Sequence, residues 1–242
     1  MEPIFFIVII SVLGPIIGSA IGVFRMPSFD YICNMLCFAA GVMLAISFLE
    51  LIPESIAMSS EGLCVGGVVT GALIMYGLDR LIPHIHPEMC TQEQGRNLRR
   101  TAFYLVMGIF LHNFPEGMAI AAGDAVSESN VSITIALAIA IHNIPEGICT
   151  SAPYYHATGA RRKAFLVSAS TAIPILAGYI VARYLFQSIS DDVIGFILGG
   201  TAGLMIYIAT DELIPTSCAG TNHKTIFALM IGVVFVILLG LI

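Results

Sequence analysis

Apolar residues gather into eight long runs, at about 4–24, 31–52, 63–83, 101–122, 131–153, 164–187, 193–215 and 225–242, parted by short polar stretches. Several of these reach the roughly 20 residues that cross a bilayer as a helix. The pattern predicts an all-α integral membrane protein, one transmembrane domain over residues 1–242 with eight spans. The eighth run is short, and the third carries Asp79 and Arg80 near its end. The opening stretch "MEPIFFIVII" has no basic residue, so it reads as a retained span and not as a cleaved signal.

The charges between the runs orient them. Arg25 lies in the first loop, Arg96, Arg99 and Arg100 in the third, Arg161, Arg162 and Lys163 in the fifth, and Lys224 in the seventh. The even loops hold Glu54, Glu61, Asp124, Glu128, Asp191 and Asp192 and no basic residue. Basic loops stay in the cytoplasm, so both termini are expected on the outer side. Residues 84–100 then form a cytoplasmic loop between spans three and four.

Composition narrows the function classes. Charged residues make up 11% of the chain, against about 25% in a soluble domain. The net charge of −6 leaves no basic surface for a nucleic-acid backbone. Six cysteines without a Cys-x-x-Cys pair give neither a disulfide framework nor a zinc knuckle. Cys33 and Cys37 share a helical face and read as small buried core residues.

Two polar insertions then stand out: "HNFPEG" at 112–117 and "HNIPEG" at 142–147, each in mid-run. Within each, His and Glu are one helical turn apart and share a face. A carboxylate at mid-membrane costs several kcal/mol unless it meets a cavity, a partner or an ion. Antiparallel neighbours carrying these motifs offer His112, Glu116, His142 and Glu146, a set that suits Zn²⁺, and also Fe²⁺, Mn²⁺ or Cd²⁺. Pro115 and Pro145 lack an N–H, so the carbonyls of Leu111 and Ile141 lose their helical partners. That predicts broken helices buried in protein or lining a wet cavity. Asn113 and Asn143, about 100° round from the histidines, are positioned for a second ion or for the freed backbone. A structural salt bridge or a proton relay is the other reading of one such pair. The repetition of the same Asn, Pro and Gly around both pairs favours metal.

A second repeat links spans two and seven. "AGVMLAISFLELIPES" at 40–55 and "AGLMIYIATDELIPTS" at 202–217 agree at nine of sixteen positions. Glu50 pairs with Glu212, and Pro53 with Pro215. Because they stand five helices apart, an odd number, the spans are expected to run oppositely, as an inverted repeat of spans 1–3 against 6–8 around a central pair 4–5. Glu50 and Glu54 then stand at the outer mouth, Asp211 and Glu212 at the inner mouth of a cation path.

These residues resemble the ZIP (Zrt/Irt-like protein) family of divalent metal transporters, in its short prokaryotic form. The resemblance covers essentially the whole chain: eight spans, the two H-N-x-P-E-G helices, and the E-L-I-P ends of spans two and seven. It implies a core metal site on spans four and five, with glutamates able to bridge two ions. It also implies inward movement of metal, with zinc foremost, across the plasma (inner) membrane, and a homodimer. No resident cofactor is implied beyond the carried metal. Better-known prokaryotic members place a Glu before the proline of span six. Here "SASTAIPILAG" has Ile173 at that place and no acid on the span, which puts a second ion site in doubt. Histidines in the third loop are a family habit, met here by His84 and His86 beside Glu88 and Cys90.

The alternative in another class is an intramembrane metal-dependent hydrolase. It would want H-E-x-x-H with a metal-bound water, and a di-iron oxidase would want E-x-x-H pairs. Both patterns are absent, so the chain is not expected to be an enzyme.

Overall fold

The computed structural model describes residues 3–24, 28–81, 106–107, 109–110, 113–121, 129–186, 190–218 and 223–240. Among them there is helix and no strand. Helix α1 is Pro3–Phe24. Helix α2, Phe29–Ile46, passes through one π turn at Ser47–Leu51 into α3, Ile52–Met58, and α4 is Glu61–Leu81. Helix α5 covers 113–121. Then follow α6 (Ser129–Thr158), α7 (Arg161–Ala169), α8 (Ala172–Phe186) and α9 (Asp191–Ile208). A second π turn at Ala209–Leu213 leads into α10 (Ile214–Cys218), and α11 is His223–Leu239. The loop 84–100, with His84 and His86, lies outside the described residues.

Four described segments are long and apolar enough to cross a membrane: Cys33–Met58, Glu61–Leu78, Arg161–Tyr184 and Asp191–Asp211. Val8–Phe24 and Lys224–Leu239 are shorter apolar helices. α6, at 30 residues, exceeds them all and carries the second polar motif. The outward faces of α1, α4, α8 and α11 are apolar, with Ile17, Val69, Ile180 and Ile231 exposed. A fold that keeps its polar side chains inside and its isoleucines outside belongs in lipid.

Prolines bend this chain at some places and not at others. Helix α6 runs unbroken through Pro145, so the expected break there does not occur. The irregular turns fall elsewhere. Pro53 and Pro215 each follow a π turn, where the wider Ile52 N–H to Ser47 O and Ile214 N–H to Ala209 O bonds re-satisfy the backbone. The two π turns occupy the same register in the sixteen-residue match, with Ser47 against Ala209 and Leu51 against Leu213. Ser170 and Thr171 separate α7 from α8, with Pro174 in the first turn of α8, and there Thr171 N–H bonds Ser168 O and Ile173 N–H bonds Ser170 O, both at 3.0 Å.

Small residues set the packing. A Cβ placed on Gly14 would lie 2.2 Å from Ala140 O, on Gly18 2.0 Å from Ile144 O, and on Gly22 3.0 Å from Ile148 O. Backbone thus meets backbone along α1 and α6, as small-xxx-small stripes allow in membranes. The rising partner numbers show that the two helices run in the same direction. The same holds for α4 and α9, where Cys64 meets Gly199 and Val68 meets Gly203. α2 and α11 are also parallel, Phe38 stacking near Phe235 and Glu50 approaching Gly240. α3 crosses α9 the other way: Ser55 Oγ donates to Gly195 O at 2.6 Å, and Ser59 meets the same glycine. Cys37 Sγ lies 2.7 Å from Ser217 Oγ on α10. In the register of the match, Ser217 is the counterpart of Ser55, and Cys37 that of Gly199, which Ser55 also touches.

Terminal details follow from local chemistry. Ser28 Oγ caps α2 by accepting Tyr31 N–H at 3.3 Å, with Asp30 in the first turn. Arg161 closes the end of α1 by donating to Val23 O at 2.7 Å and Phe24 O at 2.8 Å.

Candidate metal centre

The centre lies where α5 meets α6. Glu116 follows Pro115 on α5, and His142, Asn143 and Glu146 occupy consecutive turns near the middle of α6. None of these four exposes more than 1% of its surface. Ligand atoms of Glu116, His142 and Glu146 all lie within 4.8 Å of one another, the one such His/Cys/Asp/Glu group among the described residues. One oxygen or nitrogen from each can reach a single divalent ion after small rotations, since Zn–N and Zn–O bonds are about 2.0–2.2 Å.

Hydrogen bonds hold the parts in place. His142 Nε2 lies 2.8 Å from Glu116 Oε1, and Asn143 Nδ2 donates to Glu116 Oε2 at 3.0 Å. Both oxygens of one carboxylate are therefore gripped by the facing helix. Asn143 joins this cluster despite its different helical bearing, because it reaches across the gap. His142 Nδ1 lies 2.9 Å from Ala138 O, a backbone acceptor that orients the ring and leaves Nε2 for the ion. Both ring nitrogens thus face an oxygen, Nδ1 the Ala138 carbonyl and Nε2 the Glu116 carboxylate.

Asn113 Nδ2 donates to Thr171 O at 2.6 Å. The amide oxygens of Asn113 and Asn143 are fully buried and have no hydrogen-bond partner among the described residues. Buried polar atoms are ordinarily satisfied, so two orphaned oxygens beside a carboxylate–imidazole group fit an ion-binding region.

The glycine that ends each motif has its own explanation. A Cβ on Gly117 would lie 2.0 Å from Ile175 O of α8, and one on Gly147 2.5 Å from Pro15 O of α1. Each acidic residue is thus followed by a position at which a neighbouring helix comes into backbone contact, and any side chain there would drive the helices apart.

The profile of the ZIP zinc transporter family matches residues 3–97 and 86–240, which together take in nearly the whole chain. The chain belongs to the ZIP family. Zinc transporter ZupT of Escherichia coli O127:H6 is 40% identical over 207 residues, covering 82% of this chain and 80% of its own. Zinc transporter ZupT of Escherichia coli O1:K1 has the same identity and coverage. That of Salmonella newport strain SL254 is 40% identical over 209 residues, again 82% and 80% of the two chains.

The remaining sequence-derived ZIP candidates fare differently. His112 lies outside the described residues. Glu50 and Glu54 are half-buried around the π turn of α2–α3, apart from the central cluster, and Asp211 is half-buried in the other π turn. Glu212 lies in that second turn as well. Ile173 is 61% exposed, on an outward stripe with Leu176 and Ile180. It does not face the metal centre, because the corner at Ser170–Thr171 turns that position outward. Cys33 and Cys37 are buried, as expected.

Sequence reasoning passed over Ser19, Thr150 and Ser168, fully buried hydroxyls gathered one turn beyond Glu146. Their signal was faint: Thr150 falls four residues after Glu146, on the same face of α6, but serine and threonine are common in membrane helices.

Proposed function

We infer that this chain moves divalent transition-metal ions, zinc foremost, across the membrane through a site built from Glu116, His142 and Glu146. His112 completes the set, and Asn113 and Asn143 supply neutral oxygens. The observation that carries this is a fully buried His–carboxylate cluster within 4.8 Å, on two packed helices of a ZIP-family membrane protein. Iron, manganese and cadmium share enough of zinc's ligand preferences to enter the same site. Membership of a transporter family sets aside the hydrolase alternative.

The reading extends to eight crossings with both termini outside and metal moving inward across the plasma (inner) membrane, as a homodimer with the 84–100 loop in the cytoplasm. The parallel pairs α1/α6, α4/α9 and α2/α11 support it, since each needs an odd number of crossings between its members. The matched π turns and the exchanged Ser55–Gly199 and Ser217–Cys37 contacts support an inverted repeat, in which one half packs on the other reciprocally. Glu50, Glu54, Asp211 and Glu212 are the acids at the two mouths.

The test is uptake of a panel of divalent ions into vesicles holding only this protein. Saturable zinc uptake that is lost in Glu146→Ala supports the reading. Zinc flux no greater than in empty vesicles overturns it.

A further inference from the structure

The corner between α7 and α8 brackets both metal helices. On α5, Asn113 Nδ2 donates to Thr171 O, and Gly117 abuts Ile175 O, so the corner touches α5 on either side of Glu116. On α6, Ser168 Oγ lies 3.1 Å from Gly147 O, the carbonyl next after Glu146. Ser168 Oγ is also 2.6 Å from Ser19 Oγ on α1 and hydrogen-bonds Thr150 Oγ1. Thr150 Oγ1 in turn donates to Glu146 O at 3.0 Å or Gly147 O at 3.1 Å. Thr171 Oγ1 closes the corner on Ser168 O at 2.8 Å.

We propose that the Ser168–Thr171 corner, through the Ser19–Ser168–Thr150 hydroxyl knot and the Thr171 carbonyl, sets the spacing of Glu116 and Glu146 and so the size of ion the site accepts. This rests on the transport reading above. Span six contributes no acid, and its part is dimensional: one short segment grips α5 beside Glu116 and α6 beside Glu146. Pro174 makes the corner possible. It lacks an N–H, and the preceding residues turn through short Thr171-to-Ser168 and Ile173-to-Ser170 bonds that present Thr171 O to Asn113. Ser168 and Thr150 are positioning residues, since neither belongs to the ligand cluster. A loosened grip penalises a small ion that needs short bonds to both carboxylates, and penalises a larger ion less.

The experiment compares Zn²⁺ with Cd²⁺ transport in vesicles holding wild type, Thr150→Val, Ser168→Ala or Thr150→Ser, with rates divided by the protein present. Thr150→Val keeps the shape and loses the hydroxyl; Thr150→Ser keeps the hydroxyl. The expected result in Thr150→Val and Ser168→Ala is a KM for Zn²⁺ raised about tenfold or more, in the range of lost outer-shell contacts, with that for Cd²⁺ changed less than about threefold. Thr150→Ser retains the wild-type ratio. If Thr150→Val fails to assemble, Ser168→Ala and a Zn²⁺-against-Cd²⁺ competition on the purified protein read the same ratio. An unchanged ratio, or an equal loss for both ions, overturns the inference and leaves the transport reading standing. Wild-type vesicles that carry neither ion overturn both.

Discussion

His142 on α6 and Glu116 on α5 meet at 2.8 Å, Nε2 to Oε1, in a place sealed from solvent. The contact ties together two helices whose motifs are thirty residues apart, and it uses the nitrogen and oxygen that a metal ion would take. A metal ion bound there would take both atoms and displace any proton they hold.

That exchange makes binding proton-linked. Zinc added to the purified protein should release protons, and affinity should fall as pH is lowered, because His142 must present Nε2 bare to the ion. Calorimetry in buffers of differing ionisation enthalpy reads the proton count. A buffer-independent heat would contradict the exchange.

Substituting the cluster should abolish saturable transport without loss of insertion. His142→Ala removes a ligand atom from the site and Glu116→Gln removes a negative charge, and losses of 100-fold or more in zinc affinity are expected, on the order of 3 kcal/mol. Normal zinc and cadmium uptake by both variants would show that the ions travel elsewhere.

Ile173→Glu should not create a second strong ion site. The side chain at this position is exposed, on one stripe with Leu176 and Ile180, and not buried with the central cluster. A carboxylate there costs roughly 2.5–3.5 kcal/mol of insertion by the translocon scale. Metal counted per chain by equilibrium dialysis should be unchanged, while membrane yield falls. A second equivalent of tightly held zinc would place residue 173 at the centre after all.

Gly18→Val should destabilise the fold. Any Cβ at that position lies 2.0 Å from Ile144 O, a backbone atom that cannot swing aside. α1 must then move off α6, and overpacking of this kind costs about 1–3 kcal/mol or more. Thermal unfolding in detergent should occur at a lower temperature, and Gly18→Ala should show a smaller drop. Equal melting for all three proteins would contradict the close approach.

The centre was legible in the sequence because helical periodicity alone puts His142 and Glu146 on one face, and the repeated motif pairs α5 with α6. The Glu50–Glu212 match pointed to like structure in the two spans but not to the π turn that each contains. Proline effects were not legible. Pro145 lies inside an unbroken helix, whereas a turn at Ser170–Thr171 precedes Pro174. That corner also turned Ile173 outward, which no periodic count across "SASTAIPILAG" could anticipate. The Ser168 knot draws on α1, α6 and α7, so its members are distant in sequence and individually unremarkable.

The most direct measurement is zinc-edge X-ray absorption on purified protein loaded with one equivalent of zinc, in wild type and in His142→Ala. The account predicts nitrogen and oxygen neighbours at about 2.0–2.1 Å, with an imidazole signature that weakens in the variant. A first shell dominated by sulfur at about 2.3 Å, or one unchanged by His142→Ala, would contradict it.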